Sequence, residues 1–245
     1  MLSAGQRRWL VTLAAVAMAA LTARLGWWQL DRAQQKLAAQ AAVDRRATLP
    51  PIAQLAQLAS AADAATEQHH RLLRLSGRWL PAHTVYLDNR QMNGRVGFVV
   101  VTPLQLADGS ALLVQRGWLG RDFLQRDRVP PVPTPQGEVI ADGRIAPPPS
   151  RLYEFSGAET ARIRQNLDLD AFARETGLRL RPMSLLLADS PTSAGDGLRR
   201  DWPAPAVGAA KNHGYAAQWF ALSALILALY VWFQFVQPYR RRARA

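Results

Sequence analysis

The chain of 245 residues contains no cysteine and only two lysines. Without cysteine it cannot form disulfides, attach a c-type haem through Cys-x-x-Cys-His, or bind zinc or copper through thiolates. Any domain of this chain must therefore be held together by its apolar core alone. The four methionines, one of them at position 1, are too few for a methionine-rich copper carrier.

Sequence motifs of the common enzyme classes are also missing. The sequence has no Gly-rich phosphate loop, no Gly-x-Ser-x-Gly, no His-Glu-x-x-His and no Ser-x-x-Lys. Its acidic residues are scattered, and no pair of them can be assigned to one face. We therefore expect a protein that is not an enzyme, and a membrane-tethered exported enzyme is the least favoured hypothesis.

The net charge of +12 does not indicate a nucleic-acid partner. Six of the basic residues stand at the chain ends, and subtracting them from +12 leaves +6 spread along the chain without a block. No RNA- or DNA-binding motif accompanies this charge, so no nucleic acid is expected. The six terminal basic residues are Arg7, Arg8, Arg240, Arg241, Arg242 and Arg244.

The longest apolar stretch lies near the C-terminus. Residues 215–237 include no ionisable side chain other than tyrosines. Twenty-three residues at ~1.5 Å rise give about 34 Å of helix, enough to cross a hydrocarbon layer of ~30 Å. We predict a transmembrane helix over 215–237 and a cytoplasmic basic tail over 238–245, because Arg-rich flanks stay in the cytoplasm.

A second apolar stretch lies near the N-terminus. Arg7 and Arg8 precede the run 9–23, and Trp27 and Trp28 follow it as an interfacial belt. A cleaved signal peptide is the alternative, with residues 17–19 as its small-x-small site. We favour a cytoplasmic segment 1–8, a transmembrane helix 9–30 and an exported domain 31–214, with both termini cytoplasmic.

The exported segment alternates apolar and polar residues in the way that is typical of strands. Residues 38–65 are alanine-rich and are expected to be peripheral. Gly117 is expected to permit a close backbone approach or an unusual dihedral. A helix is predicted over 168–176, closed by Gly177. The predicted fold is a membrane protein in which two transmembrane helices flank a mostly antiparallel β (α+β) exported domain, a small barrel or sandwich. Its strands are predicted at 71–79, 84–88, 98–104, 111–115, 138–145 and 183–189.

Two features near the membrane carry candidate functional residues. Arg24, Trp28, Arg32 and Lys36 recur at every fourth position, which is either a solvated basic face or a cationic patch for a lipid phosphate or a carboxylate-bearing ligand. His213 lies one turn before the second apolar stretch, and ionisable groups at this depth are candidates for function. An interfacial histidine that is hydrated by water or headgroups is the alternative.

Several short motifs, taken in order, resemble the surfeit locus protein 1 family. The last of them is a run of Asn-His-Gly-Tyr-Ala-Ala-Gln-Trp-Phe, which has one residue fewer between histidine and tyrosine than the family pattern. The motifs are Leu25-Gly26-x-Trp28-Gln29-Leu30-x-Arg32-x-x-x-Lys36, Asn89-Arg90, Gly94-x-x-Gly97, Leu113-Val114-x-Arg116-Gly117-Trp118, and the run from Asn212 to Phe220.

The resemblance implies an assembly factor for cytochrome c oxidase in the bacterial plasma (inner) membrane. Such a protein would help deliver haem a to the haem-bearing oxidase subunit, with haem a synthase and membrane lipids as further partners. His213 would bind the haem iron, aromatic side chains would contact the macrocycle, and Arg32 and Lys36 would pair with the propionates. An assembly protein that binds only oxidase subunits is the alternative. The aromatic residues are Trp27, Trp28, Trp219 and Phe220.

Overall fold

The computed structural model describes residues 3–122, 129–150, 152, 162–190, 193, 195–203 and 208–242. The chain forms two compact units, one of residues 42–203 and one of residues 1–41 together with 204–245. The last three residues of the predicted basic tail lie outside the described part of the chain. Helices and strands are numbered below in chain order.

The unit formed by residues 1–41 and 204–245, called the helical unit below, is made of helices. Helix α1 covers Ala4–Ala47, α4 covers Ala209–Val231, one π-helical turn covers Trp232–Val236, and α5 covers Gln237–Arg242. α1 and the α4 region are each long and apolar enough to cross a membrane by length and composition. Large apolar side chains point outward along both helices, as on a helix whose surroundings are apolar. Trp9, Leu13, Leu225 and Phe235 are each more than half exposed.

The unit formed by residues 42–203, called the β-rich unit below, contains a seven-stranded, mostly antiparallel sheet. The strand order in this sheet is β1-β5-β7-β4-β3-β2-β6. β1 pairs with β3 as well as with β5, so that β1, β5, β7, β4 and β3 follow one another round a closed ring of pairings. A closed ring of paired strands is a barrel, which is one of the two arrangements, barrel or sandwich, that the sequence predicts. β4 and β7 are parallel, as are β2 and β6. The strands are β1 Leu72–Trp79, β2 Val85–Met92, β3 Arg95–Gln105, β4 Ala111–Gly120, β5 Glu138–Ala146, β6 Ile163–Arg164 and β7 Leu180–Leu187.

Local sequence explains most of these elements. Along β1 every second side chain is buried, as its alternating sequence predicts. α3 covers Leu169–Thr176 and begins where Asp168 accepts a hydrogen bond from the amide of Ala171. The predicted helix over 168–176 and its Gly177 cap are thus confirmed. Helix α2, Ala62–Gln68, and the two-residue strand β6 were not predicted.

The expectation that residues 38–65 are peripheral is wrong. Ile52 forms an isolated bridge with Leu73, and Ile52, Leu58 and Ala65 are buried in the core inside the ring. The error has a physical reason: a 7-residue helix that buries one alanine has no apolar periodicity to detect. Most of the other residues of this core point inward from the ring strands, among them Leu73, Leu75, Leu104, Val114, Ile145, Met183 and Leu185.

A second apolar cluster lies outside the ring, on β2, β3 and β4. Val85, Leu87 and Val99 contribute to it from the sheet, and Phe172 covers it from α3. Trp118 belongs to the same cluster and is 3% exposed. The β-rich unit therefore has apolar side chains on both faces of these strands.

Candidate functional site in the paired helices

The two long helices of the helical unit contact each other along a row of mostly small side chains. On α1 the row repeats at alternating intervals of three and four residues, the spacing of one face of a helix packed against another. Small side chains let two helix backbones approach closely. The hydroxyl of Ser223 on α4 donates to the carbonyl of Ala19 at 2.9 Å, which shows this close approach. The buried or half-buried members are Ala19, Thr22, Gly26, Gln29, Ala33 and Lys36 on α1, and Ala209, Asn212, Ala216 and Ser223 on α4.

Gly26 makes room for an aromatic ring of the other helix. A Cβ atom at Gly26 would lie 2.8 Å from the ring of Phe220, closer than two such atoms can stand. The neighbouring Trp27 contacts the same ring edge-on, with centroids 5.9 Å apart. Phe220 is therefore held against α1 by the absence of a side chain at position 26.

A polar group completes the contact two turns further along. Asn212 donates from Nδ2 to Oε1 of Gln29 at 2.6 Å, and its Oδ1 accepts from the Lys36 ammonium at 2.8 Å. Both ends of the Asn212 amide thus have partners on α1. Sequence reasoning did not assign this role to Gln29 or Asn212, although the three-and-four spacing of Gly26, Gln29 and Lys36 was a usable signal.

His213 is placed beside this polar group but faces away from it. Successive residues of a helix differ by about 100°, so Asn212 turns toward α1 and His213 does not. The His213 side chain is exposed and has no hydrogen-bond partner in the described part of the chain. Phe220 follows His213 by seven residues, so the two side chains lie about 20° apart round α4. Trp219 points to a different side of α4 from His213 and Phe220, and it is half-buried.

The basic row on α1 does not form one face in the structure. A step of four residues turns about 40°, so Lys36 lies about 120° round the helix from Arg24. Lys36 faces α4, whereas Arg24, Trp28 and Arg32 are exposed. Arg32 hydrogen-bonds Gln35 of its own helix at 3.2 Å. Of the six predicted site residues, the structure thus brings Lys36 and Phe220 into the helix contact and leaves Trp219 half-buried. The other three, Trp28, Arg32 and His213, lie on exposed positions.

Comparison with known proteins supports the resemblance found in the motifs. The SURF1 family matches residues 16–224, a range that includes most of α1, all of the described β-rich unit and the first part of α4. A SURF1-like protein of Rickettsia bellii is 25% identical over 212 residues, which cover 84% of this chain and 83% of the relative.

Two other relatives match over shorter segments. A SURF1-like protein of Rickettsia felis is 31% identical over 107 residues, 43% of this chain. The Cytochrome oxidase assembly protein SHY1 of Saccharomyces cerevisiae is 26% identical over 167 residues, 66% of this chain. The matched segments span 42% of the length of each of these two relatives. From the match over residues 16–224, this chain is a member of the SURF1 family.

Proposed function

We propose that this protein assists the assembly of cytochrome c oxidase while anchored in the bacterial plasma membrane by α1 and α4. Membership of the SURF1 family carries the proposal, since a relative in that family is named for cytochrome oxidase assembly. The apolar outer surfaces of the two helices support the anchoring, because such surfaces are stable in lipid and costly in water.

The orientation we propose has both termini in the cytoplasm and the β-rich unit exported. Arg7 and Arg8 precede the first apolar stretch, and Arg240 to Arg242 follow the second. Arg240 lies over the ring of Trp232 with 5.7 Å between its guanidinium carbon and the ring centroid. An arginine stacked on an interfacial tryptophan is suited to the headgroup level on the cytoplasmic side.

We further propose that haem a is the cargo and that the haem-bearing oxidase subunit and haem a synthase are partners. The residues fit such a cargo in this respect: the His213 imidazole is exposed and makes no hydrogen bond to a described residue, so its nitrogens are available to iron. Phe220 and Trp28 offer apolar contact, and the exposed Arg32 suits a propionate. Lys36 would have to exchange its hydrogen bond to Asn212 for a propionate.

Purification from cells that make haem a tests the cargo. We expect His213→Ala to abolish or strongly reduce co-purified haem a while the protein remains folded and inserted, because iron loses a specific bond and little packing is removed. Arg32→Ala and Lys36→Ala should reduce retention less, since each removes a partly solvated ion pair that is typically worth ~1 kcal/mol or less. The measurement is the haem a content per protein, with His83→Ala in the β-rich unit as the matched control.

The same variants distinguish the binding of haem a from a role in oxidase assembly. Cells that lack this protein should lose assembled oxidase and regain it with the wild-type gene. If His213→Ala keeps its haem spectrum, the ligand assignment fails. If the protein binds no haem in any preparation and still restores oxidase, it acts through oxidase subunits alone. Undiminished oxidase in cells that lack the protein would contradict the assembly role itself.

A further inference from the structure

The β-rich unit contains a cavity of about 670 Å³ that is independent of the paired helices. Leu87, Met92, Val99 and Trp118 of β2, β3 and β4 line one side of it, and prolines 147–149 and Trp202 line other sides. Protein interiors are packed nearly as densely as organic crystals, so an apolar void of this size is the usual form of a small-molecule site. The cavity opens on the apolar cluster outside the strand ring.

The two tryptophans of the cavity are held in fixed orientations. The indole N–H of Trp118 donates to the carbonyl of Arg90, and that of Trp202 donates to the carbonyl of Leu187, each at 2.9 Å. Both indole donors are therefore already used by the backbone. What these side chains offer to the cavity is flat, apolar ring surface.

Gln115 supplies a polar atom to this mostly apolar wall. It lies on β4, is 9% exposed, and donates from Nε2 to the Ser184 hydroxyl at 2.9 Å. Ser184 in turn donates to the carbonyl of Pro147 at 2.5 Å, so its oxygen must accept from Gln115, and this fixes which end of the amide is which. Oε1 of Gln115 accepts no hydrogen bond from a described residue.

The charged group on the cavity wall is hydrogen-bonded to neutral oxygens. Arg90 donates from Nη1 to the Ser150 hydroxyl at 3.2 Å and from Nη2 to the carbonyl of Gln165 at 2.8 Å. No aspartate or glutamate is among the described lining residues. Arg90 Nε has no hydrogen-bond partner among the described residues, but it is enclosed by protein and out of reach of a ligand in the cavity. No described carboxylate on the wall would pair with a cationic ligand, and an acceptor without a donor in an apolar cavity favours a ligand that donates.

We propose that this cavity binds a flat, uncharged and mostly apolar molecule whose single hydroxyl or N–H group donates to Oε1 of Gln115. The rings would lie against Trp118, Trp202 and the prolines. The proposal does not rest on oxidase assembly or on haem, and no described residue of the helical unit lines the cavity.

The absence of cysteine allows a direct test on the full chain in lipid nanodiscs. Leu186→Cys places one thiol on the cavity wall, and Ser76→Cys places one on the exposed face of β1 as the control. The alkylation rate by iodoacetamide is followed by mass spectrometry with 2-naphthol or with 2-methoxynaphthalene, which lacks the donor. We expect 2-naphthol to slow alkylation at position 186 at least tenfold and to leave position 76 unchanged.

The hydrogen bond is tested by comparing the two compounds. 2-Methoxynaphthalene should need about tenfold higher free concentration for equal protection, the size of one net hydrogen bond. Gln115→Met in the Leu186→Cys background should remove this difference while apolar binding persists. Met92→Trp in the same background should remove protection by narrowing the cavity, with Leu72→Trp on exposed β1 surface as its matched control. Thermal unfolding establishes that each variant is folded.

Four outcomes would overturn the proposal. Equal protection by the two compounds, or a difference that persists in folded Gln115→Met, would remove Gln115 as the acceptor. Protection that is unchanged in folded Met92→Trp would place the bound compound elsewhere. No protection at position 186 by either compound would show a cavity that holds only solvent.

Discussion

Asp108 shows how one carboxylate orders a turn and an adjacent strand. Its Oδ1 accepts from the amide and the hydroxyl of Ser110, at 2.9 and 2.6 Å, and its Oδ2 accepts from Arg181 at 2.6 Å. These hydrogen bonds from Ser110, with smaller contributions from the charges of Arg181 and Arg179, lower the pKa of Asp108 from its ordinary value of 3.8. Partial burial acts in the opposite direction and does not cancel them.

The lowered pKa predicts a pH-dependent contribution to stability. A carboxylate with a lowered pKa in the folded state stabilises the fold fully above its ordinary pKa, and this contribution is lost as the pH falls through the lowered value. We expect Asp108→Asn to reduce the free energy of unfolding by about 1 kcal/mol or less at pH 7, since the side chain is 37% exposed and screened by solvent.

Chemical denaturation of the purified protein at a series of pH values measures this effect. The difference between wild type and Asp108→Asn should shrink as the pH falls below 3.8. Asp63→Asn, at an exposed position of α2, is the matched control and should change little at any pH. A difference that stays constant down to pH 2 would contradict the electrostatic origin.

At the scale of elements, strand β4 contains a position of close backbone approach. A Cβ atom at Gly117 would lie 2.7 Å from Cβ of Leu198 and 2.9 Å from the carbonyl oxygen of Arg199. The next residue, Trp118, exchanges two backbone hydrogen bonds with Arg199, at 2.7 and 2.9 Å. The close approach expected from the sequence at Gly117 is thus present, and its cause is the segment 198–199 that lies along β4.

Gly117→Val should therefore impair folding. The β-branched side chain would push the 198–199 segment off β4 and break the two hydrogen bonds of Trp118, a cost of several kcal/mol typical of overpacking in a core. Protein yield and the thermal unfolding midpoint measure the effect. Gly109→Val, at a position open to solvent, is the control for loss of a glycine with positive φ, and it should be milder. Normal yield and midpoint in Gly117→Val would count against this explanation.

Gly26 in the helix pair resembles Gly117, because a Cβ atom there would also clash with a neighbour. At Gly26 the neighbour is the side chain of Phe220. Phe220 rests where a Cβ of Gly26 would be, and Gln29, Asn212 and Lys36 continue the contact. The motif Leu25-Gly26-x-Trp28-Gln29 therefore contains two kinds of residue. Gly26 and Gln29 hold the helices together, and Trp28 is exposed and available to lipid or to a partner.

At the scale of the whole molecule, helix α1 contacts the α4 region near the N-terminus of α1 as well as around Gly26. Thr12 and Tyr230 share a hydrogen bond at 2.8 Å, and Ser223 donates to the carbonyl of Ala19. Cleavage after Ala19 would remove both of these contacts and leave α4 without the N-terminal part of its partner. These contacts favour a retained anchor over a cleaved signal peptide.

We accordingly expect both termini in the cytoplasm and the β-rich unit outside. In cells whose outer membrane has been permeabilised, a membrane-impermeant maleimide should label Ser76→Cys. It should not label Ser3→Cys until the plasma membrane is lysed. Since the chain has no other thiol, each signal reports one position. A C-terminal alkaline phosphatase fusion should be inactive. Labelling of Ser3→Cys in unlysed cells, or a mature N-terminus at residue 20, would contradict this topology.

What the sequence determined by itself was local. The two apolar stretches, the alternation along β1, the cap at Asp168 and the glycine at 117 are each visible within a few residues, because hydrophobic period and backbone freedom act at that range. For the same reason six of the seven strands were predicted, and the two-residue β6 was not.

Only the tertiary structure decided which of these elements meet. The β1–β3 pairing that closes the ring, the parallel pairing of β4 with β7, and the burial of Ile52 join residues far apart in the chain. The same is true of the amide of Asn212 between Gln29 and Lys36, and of the cavity that Gln115 shares with prolines 147–149. Such contacts depend on the free energy of the whole packed core, and the period of a single segment carries no information about its partner.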